Sequence, residues 1–381
     1  MTRIAVIGGG IVGASAAYNL ARAGHTTILI EGEITGRATS AGAGIIAPGT
    51  SLRPLPPFFQ LAAPAVSYYP QLVAELTEMN IENIGYEVCG KLMVADTPEK
   101  ATELQANKAL FEKRRDEGMP NLGGISEISP AAAKKLLPTL GDMEAAIHIS
   151  DAARVDGAKL REALTTAARQ LGAWMVQESA SLVMDGSKVV AVMVGKERVA
   201  VDCVVLAAGA WTNHLLEPTG HELAIHPQKG QIVHIDMPEQ DTTNWPILSW
   251  GGSQYQLCFG PNRVVCGATR EFNSGYDTRI TPAGVKEVLD EQLRITPGIA
   301  NGTLAEVRVG LRPYADDAIP FIGTFDDVEN LVVSSGHGPS GLQLGPYCGL
   351  LAAELAQGLQ PSTDISSFAL DREVTNLEIT Y

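Results

Sequence analysis

Residues 8–13, with the sequence GGGIVG, form the part of the chain whose spacing most directly implies chemistry. They match the pattern G-x-G-x-x-G. In that pattern Gly8 permits a tight turn out of a strand, Gly10 lets a pyrophosphate approach the backbone, and Gly13 lets the following helix pack closely on a sheet. The sequence therefore predicts a dinucleotide site at this turn.

The residues around this turn support the same prediction. Ile11 and Val12 open the predicted helix, whose unpaired N–H groups and positive dipole end favour phosphate. Glu31 stands at the end of the next predicted strand, where a carboxylate can accept hydrogen bonds from ribose hydroxyls. For Glu31 taken alone, a solvated charge at a strand end is the alternative.

A loop of small residues over 36–48 (GRATSAGAGIIAP) follows this acid. Such a loop can wrap an extended ligand closely, because small residues let the backbone approach phosphates and rings. It favours FAD over a nicotinamide cofactor. A flexible surface loop is the alternative, although residues 45–47 would then expose apolar surface. The predicted cofactor contacts in the loop are Arg37, Thr39, Ser40, Ala41, Ala43 and Gly44.

Buried strands must position these residues. Short apolar runs over 3–7 and 26–30 flank the first glycine turn, and residues 203–211 and 331–346 each contain a strand that runs into another glycine turn. The carboxyl ends of parallel strands are where α/β sheets bind ligands. A helix over about 349–357 follows, and its N-terminal amides can stabilise negative charge on a flavin ring. The predicted contacts at these two turns are Ala208, Gly209, Trp211, His337, Gly338, Pro339, Ser340, Gly341, Leu342 and Gln343.

A second kind of structure lies between these α/β segments. Residues 231–236, 254–259 and 263–268 alternate like strands and are joined by glycine and proline turns, which predicts an antiparallel sheet. A helix with an apolar face begins after Asp156, its predicted N-cap, and ends near Gly172.

With these motifs the sequence resembles the D-amino-acid oxidase and glycine oxidase family of FAD-dependent oxidoreductases. The resemblance extends over nearly the whole chain and is carried, in family order, by residues 8–13 with Glu31, 37–44, 229–231, Tyr255, 267–269, 310–313 and 336–338. It implies an α/β fold with two domains. The first is a Rossmann-like FAD-binding domain of the GR2 type over residues 1–80, 141–218 and 305–381. The second is an α+β substrate-binding domain on an antiparallel sheet, over residues 81–140 and 219–304.

The resemblance also assigns roles to individual side chains. Arg312 matches the arginine that binds the substrate carboxylate, and it also belongs to the predicted cofactor contacts; a bidentate guanidinium suits such an anchor. Tyr255 matches a tyrosine that hydrogen-bonds the same carboxylate, and Ile45 an apolar wall near the flavin. From residue type alone, Arg312 could form a surface salt bridge, and the other two could simply pack.

Two positions depart from the glycine oxidase pattern. Arg270 stands where that pattern has an apolar residue facing the substrate, and residues 339–340 (PS) replace Arg-Asn. We therefore expect Arg270 to reach the pocket and to favour a second anionic or polar group on the substrate. An arginine that points to solvent from an edge strand is the alternative.

Composition excludes several classes of function. The net charge of −15 argues against a nucleic-acid partner. Five scattered cysteines lack metal-ligand spacing, so no metal site is predicted, and they indicate a reducing compartment. No apolar stretch is long enough to span a bilayer, and the protein is expected to be cytoplasmic. A homo-oligomer is compatible with the sequence. No cysteine lies near Arg312, where sarcosine-oxidase relatives attach their flavin, which predicts non-covalent FAD.

The predicted function is oxidation of the α C–N bond of a D-amino acid, glycine or N-alkyl amino acid. A hydride passes to flavin N5, and water hydrolyses the resulting imine to a 2-oxo acid. O2 is one electron acceptor; a dehydrogenase that reduces a quinone or a partner protein is an alternative. The sequence is also compatible with a flavin-binding subunit of a larger complex and, least favoured, with a nicotinamide dehydrogenase.

Overall fold

A computed structural model describes residues 2–53, 55–252 and 254–375 of the chain. Positions 1, 54, 253 and 376–381, which include both ends of the predicted FAD-binding segments, lie outside the described residues. The α-helices are α1 Ile11–Arg22, α2 Ala38–Ala41, α3 Pro56–Glu78, α4 Pro98–Asp116, α5 Pro130–Leu136, α6 Gly157–Gln170, α7 Thr212–Leu216, α8 Pro282–Ile295 and α9 Gly341–Ala356.

The strands complete the element order. They are β1 Arg3–Ile7, β2 Thr26–Ile30, β3 Ile45–Ile46, β4 Tyr86–Val88, β5 Lys91–Ala95, β6 Ile125–Ile128, β7 Ala145–Ile149, β8 Ala153–Val155, β9 Trp174–Val176, β10 Ala180–Asp185, β11 Lys188–Val194, β12 Glu197–Ala200, β13 Cys203–Leu206, β14 Ile225–Asp236, β15 Ile247–Ser249, β16 Tyr255–Phe259, β17 Arg263–Gly267, β18 Thr303–Ala315, β19 Phe321–Gly323 and β20 Leu331–Ser335.

A six-stranded sheet carries the glycine turns. Its order is β19-β20-β13-β1-β2-β9, and every pair except β19–β20 is parallel. The central strands are apolar on both faces because both faces are covered. Helices α1, α6 and α9 pack on one face, and the small antiparallel sheet β10-β11-β12 covers the other. The carboxyl ends of β1, β2, β13 and β20 therefore meet at one edge.

Helix α9 crosses α1 at very short range. A side chain at Gly349 would collide with the carbonyl of Val12, and the Ser15 hydroxyl donates to the carbonyl of Pro346 at 2.6 Å. Because proline has no N–H, Pro346 leaves the carbonyl of Leu342, four residues earlier, without its helical donor. The hydroxyl of Tyr69, from α3, donates to that carbonyl instead.

The second large sheet has eight strands in the order β18-β14-β17-β16-β15-β5-β7-β6. All its pairs are antiparallel except β15–β5. Helix α8 packs on one face of β14 and β17, together with an apolar cluster that includes Val233 and Cys266. The opposite face, with Ile232 and Tyr255, lies against Ile45 of the small-residue loop.

The predicted fold class is confirmed: a parallel Rossmann-like sheet stands beside a second, largely antiparallel sheet. One local prediction, the start of the last helix, needs correction. Helix α9 begins at Gly341 rather than near residue 349. The three segments predicted to form an antiparallel sheet do pair in that way, as β14, β17 and β16, and the parallel pair β15–β5 extends the same sheet. The predicted boundaries place β7 and most of β18 in the FAD-binding domain, yet both strands pair in the eight-stranded sheet. The division into domains stays a prediction.

Within the described residues, no helix combines the length and the apolar character needed to cross a membrane.

Candidate active site

A cavity of about 400 Å³ lies where the two large sheets meet. One end is formed by the glycine turn after β1, the end of β2 and the loop after it; the other end is formed by β14, β16, β18 and the residues after β17. Most of the predicted site residues line it: Gly8, Gly10, Ile11, Val12, Glu31, Arg37, Thr39, Ala41, Ala43, Gly44, Ile45, Ala208, Gly209, Trp211, Tyr255, Arg270, Arg312, His337, Gly338, Pro339, Gly341, Leu342 and Gln343.

Three predicted contacts do not line this cavity. Gly13 lies behind the wall, where a Cβ would collide with the carbonyl of Gly8, so its role is the close packing of α1. The Ser40 hydroxyl donates to the carbonyl of Arg37 at 3.3 Å, and the Ser40 carbonyl accepts from Arg308. The Ser340 hydroxyl accepts from Arg53 at 2.9 Å.

The first glycine turn leaves no room for side chains. Gly8 has φ +105°, a conformation that suits glycine, and a Cβ there would collide with the carbonyl of Ala207. A Cβ on Gly9 would strike the carboxylate of Glu31. The backbone therefore comes within reach of any group that lies between α1 and the strand ends, as a pyrophosphate would.

Glu31 and the small-residue loop close this end of the cavity. Oε1 of Glu31 lies 2.6 Å from Nε of Arg37, whose Nη2 donates to the carbonyl of Gly32. The amide of Ile11 donates to the hydroxyl of Thr39 at 3.0 Å, so this N–H is not one of the donors left for phosphate. The loop is thus tied to both the acid and the start of α1.

The first residues of α9 line one side of the cavity. Oε1 of Gln343 accepts from the amide of Ala47 at 3.4 Å, which fixes the side chain where the loop meets the helix. His337 lines the cavity beside it, and burial lowers the pKa of its imidazole to about 4. This histidine is therefore neutral at neutral pH. Its Nε2 is buried and makes no hydrogen bond within the described residues.

Arg312, on β18, is held in place by hydrogen bonds to neighbouring groups. Its Nη1 donates to Oε1 of Gln228 and to the carbonyl of Thr269, each at 3.1 Å. The guanidinium lies over Gly230, where a Cβ would overlap it. Both acceptors are neutral groups, so these two hydrogen bonds orient the guanidinium without placing a negative charge beside it.

Tyr255, on β16, lies within the electrostatic influence of two cations. Burial raises the pKa of its hydroxyl to about 12, while the charges of Arg312 and Arg270 act to lower it. The ring lies against Gly267, where a Cβ would collide with the phenol oxygen. A neutral hydroxyl donor therefore stands with two guanidinium groups at one end of the cavity.

Arg270 lines the cavity, as expected, and does not extend from an edge strand into solvent. Its neighbours Thr269 and Glu271 bond to β14: the hydroxyl of Thr269 accepts from the amide of Gln231, and the backbones of Glu271 and Lys229 exchange two hydrogen bonds. Side chains alternate along an extended segment, so Arg270 points the opposite way, into the cavity.

Several site residues were missed by the sequence reasoning. Gln228 and Thr269 hold Arg312, and Gly230 and Gly267 make room for Arg312 and Tyr255. The available signal was their position in, or next to, segments 229–231 and 267–269. Arg161, whose Nε donates to the carbonyl of Gly9 from α6, gave no comparable signal.

The described residues fit FAD. A Cβ on Gly8 or Gly9 would collide with neighbouring atoms, so the bare backbone of the turn borders the cavity, as a pyrophosphate site requires. Glu31 stands at the end of β2, and the first residues of α9 also line the cavity. None of the described residues that line the cavity is a cysteine. Nor does any group of three or more His, Cys, Asp or Glu side chains in the described part of the chain form an arrangement that could hold a metal ion.

Comparison with known protein families gives a match over most of the chain. Residues 3–355 match the DAO family, described as FAD dependent oxidoreductase. The chain is 36% identical over 364 residues to the uncharacterized oxidoreductase YurR of Bacillus subtilis, covering 95% of this chain and 97% of that protein. It is 28% identical over 382 residues to the glycine oxidase of Geobacillus kaustophilus, with 97% of each covered.

A solved structure extends the comparison. The crystal structure of iminodiacetate oxidase (IdaA) from Chelativorans sp. BNC1 superposes with a TM-score of 0.93 at 34% sequence identity. The match covers 97% of this chain and 99% of that one.

Proposed function

Because the chain belongs to the DAO family of FAD-dependent oxidoreductases and is an amino-acid oxidase or dehydrogenase, we propose that it oxidises the C–N bond beside a substrate carboxylate with O2 as electron acceptor. Its substrates are glycine derivatives or D-amino acids. The observation that carries the proposal is the group of three donors, Arg312, Tyr255 and Arg270, at one end of the cavity. Two relatives whose names identify them as oxidases support O2 as the acceptor.

The side chains at that end bind and orient the substrate. The Arg312 guanidinium pairs with the carboxylate beside the reacting carbon, and the Tyr255 hydroxyl donates to the same carboxylate. Neither residue needs to exchange a proton, because a guanidinium stays charged and burial raises the pKa of Tyr255 to about 12, which keeps its hydroxyl neutral at neutral pH. Fixing the carboxylate fixes the direction of the adjacent C–H bond.

FAD supplies the acceptor for the hydride and its two electrons. His337 is neutral in its buried position and is not required as a base. When the substrate amine is neutral, the hydrogen on the adjacent carbon leaves as a hydride, so no base has to remove a proton from that carbon. Water hydrolyses the imine product to a 2-oxo acid and releases the amine fragment.

We propose further that the preferred substrates carry a second carboxylate, as iminodiacetate does. Arg270 adds a second cation beside Tyr255, while the acids among the described lining residues are Glu31 and Glu178, which lie after β2 and β9. Arg312 compensates one buried substrate carboxylate, and Arg270 supplies a second cation to compensate another. The structural similarity to an iminodiacetate oxidase supports this substrate class.

Substitutions at the two arginines test the proposal. We expect Arg312→Lys to lower kcat/KM about 100-fold for both iminodiacetate and sarcosine, since a lysine cannot form the bidentate pair. Arg270→Met should lower kcat/KM about tenfold or more for iminodiacetate only. Arg308→Lys is the matched control, because Arg308 lies on β18 but binds the carbonyl of Ser40 outside the cavity wall. Equal losses for the two substrates in Arg270→Met would contradict the role of Arg270.

A further inference from the structure

We propose that Glu271 is a positioning residue that sets the geometry of both cavity arginines, although it does not line the cavity itself. The inference rests on the proposed function, since it concerns how the same site holds a substrate with two carboxylates. Three sets of contacts carry it: those of Thr269, those of Lys229, and the backbone on either side of Arg270.

Thr269 links Glu271 to Arg312. The Thr269 hydroxyl donates to Oε1 of Glu271 at 2.8 Å and accepts from the amide of Gln231 at 2.9 Å. Its carbonyl accepts from Nη1 of Arg312 at 3.1 Å. A displacement of Thr269 therefore displaces one of the two acceptors that fix the Arg312 guanidinium.

Glu271 is held in place by two further groups. Its Oε1 also accepts from Nε2 of Gln231 at 2.7 Å, and Gln231 in turn donates to the hydroxyl of Thr281, the N-cap of α8. Its Oε2 lies 3.6 Å from Nζ of Lys229, whose side chain is only 1% exposed. A buried ammonium gains strongly from such a partner, because the desolvated charge must be compensated.

The same anchoring acts on Arg270. The residues on both sides of Arg270 are bound to β14, Thr269 through its hydroxyl and Glu271 through its carboxylate and backbone. Because successive side chains of an extended segment point in opposite directions, the side chain of Arg270 between them points into the cavity. The segment 269–271 therefore sets the positions of both arginines. Within it, the Glu271 carboxylate accepts the hydrogen bonds from Thr269 and Gln231 and lies beside the ammonium of Lys229.

Asp277 provides a matched control within the same network. Its Oδ2 lies 3.4 Å from Nζ of Lys229, so it compensates the same cation. Its carboxylate also binds Arg279, whereas Glu271 is the acid that accepts a side-chain hydrogen bond from each of Thr269 and Gln231. If Glu271 only neutralised Lys229, loss of either acid would have the same effect.

The test measures FAD content, kcat and KM for iminodiacetate, and the Kd of diglycolate, an ether analogue that carries both carboxylates and cannot form an imine. Diglycolate binding is followed by the change it causes in the flavin absorbance spectrum. The variants are Glu271→Ala, Glu271→Gln and Asp277→Asn. We expect Glu271→Ala to raise KM and Kd about tenfold, with a smaller change in kcat. Glu271→Gln retains an acceptor at Oε1 and should restore most of the affinity, and Asp277→Asn should bind like the unsubstituted protein.

Equal effects of Glu271→Ala and Asp277→Asn, or a loss of thermal stability without a change in KM or Kd, would overturn the inference. If Glu271→Ala does not retain FAD, Thr269→Val decides instead, because it removes only the linking hydroxyl and should weaken diglycolate binding in the same direction. If the unsubstituted protein binds diglycolate but oxidises no amine, the proposed function fails, while the Kd series still tests the positioning role. If it does not bind diglycolate, both proposals are contradicted.

Discussion

Tyr255 shows how burial determines the protonation state of a group in the cavity. Removing the phenol from water disfavours its ionised form and raises its pKa to about 12, although two neighbouring cations act in the opposite direction. The hydroxyl is therefore a permanent donor over the working pH range. A donor of this kind orients a carboxylate without contributing a titration to the reaction.

Substitution of Tyr255 tests this role. We expect Tyr255→Phe to raise KM for iminodiacetate about three- to tenfold, since one hydrogen bond to a charged group is lost. Its profile of kcat/KM against pH should run parallel to that of the unsubstituted protein up to about pH 10, because the phenol stays protonated there. Steady-state kinetics from pH 6 to 10 provide the comparison. An alkaline limb that disappears only in the phenylalanine variant would show that the tyrosine ionises.

The sequence predicted which side chains reach the cavity, but it did not predict which neighbouring groups hold those side chains in place. Arg312, Tyr255 and Arg270 lie in the cavity wall, as predicted. The acceptor of Thr269 could not be predicted, because a backbone carbonyl is present at every residue and its direction depends on pairing with a distant strand. The roles of all these residues in the reaction remain predictions.

Helix α9 shows why the boundary of an element can escape prediction. Its first turns contain Gly345, Pro346 and Gly349, which lower helix propensity, so sequence alone placed the start near residue 349. Packing against α1 needs those glycines, and Tyr69 replaces the hydrogen bond that Pro346 cannot make. Tertiary contacts therefore extend the helix back to Gly341.

The contribution of the hydrogen bond from Tyr69 to the carbonyl of Leu342 can be measured with a matched pair of substitutions. Tyr69→Phe leaves the buried carbonyl of Leu342 without its tyrosine donor, and we expect a loss of about 1–3 kcal/mol in the free energy of unfolding. FAD binding should also weaken, because Leu342 lines the cavity. In the control Tyr68→Phe, the hydroxyl removed accepts from Nδ2 of Asn19 at 3.4 Å, a long and therefore weak hydrogen bond, so the loss should be smaller.

Thermal unfolding and FAD titration of both variants provide the readout. Equal losses in Tyr69→Phe and Tyr68→Phe would show that the hydrogen bond to Leu342 does not support the helix.

Over the whole molecule, the sign of the net charge is opposite to the sign of the charges at the substrate end of the cavity. The chain carries a net charge of −15, yet the substrate end of the cavity presents Arg270 and Arg312. Net charge argued against nucleic acid as a partner but gave no information about the ligand. The two guanidinium groups contribute positive charge at this end of the cavity, although the chain as a whole is acidic.

The fold as a whole also explains how stability should depend on pH. His234 is buried on β14, and burial, together with Arg308 and Arg263, lowers its pKa from 6.5 to about 4; Glu306 acts in the opposite direction. The unfolded chain therefore binds a proton that the folded protein does not bind between these values. The contribution of this neutral imidazole to stability is complete above pH 6.5 and is lost as the pH falls towards 4.

Replacing this histidine should reduce the sensitivity to acid. Between pH 7 and pH 5 we expect His234→Leu to lose about 2 kcal/mol less unfolding free energy than the unsubstituted protein. His226→Leu is the matched control, because it removes a solvent-exposed imidazole from the same strand. Calorimetry at the two pH values measures the difference. The same acid sensitivity in all three proteins would contradict the burial of a neutral His234.

Long-range pairing was the part of the architecture that sequence patterns did not contain. The strand before each glycine turn was predictable, because β-branched runs that end at glycines are typical of buried parallel strands. That β5 pairs with both β7 and β15 was not predictable, because the three segments are far apart in sequence. Helix α4 lies between β5 and β7, and helix α6 and strands β9 and β13 of the six-stranded sheet lie between β7 and β15. Such pairings depend on tertiary packing rather than on local propensity.

The most direct test of the central claim is anaerobic mixing of the purified FAD-loaded protein with iminodiacetate, sarcosine, glycine and D-amino acids, followed through the flavin absorbance band. We predict that iminodiacetate bleaches the band fastest, and that admission of air restores it with formation of peroxide. A yellow protein that none of these carboxylated amines bleaches would contradict the proposed oxidation beside a carboxylate.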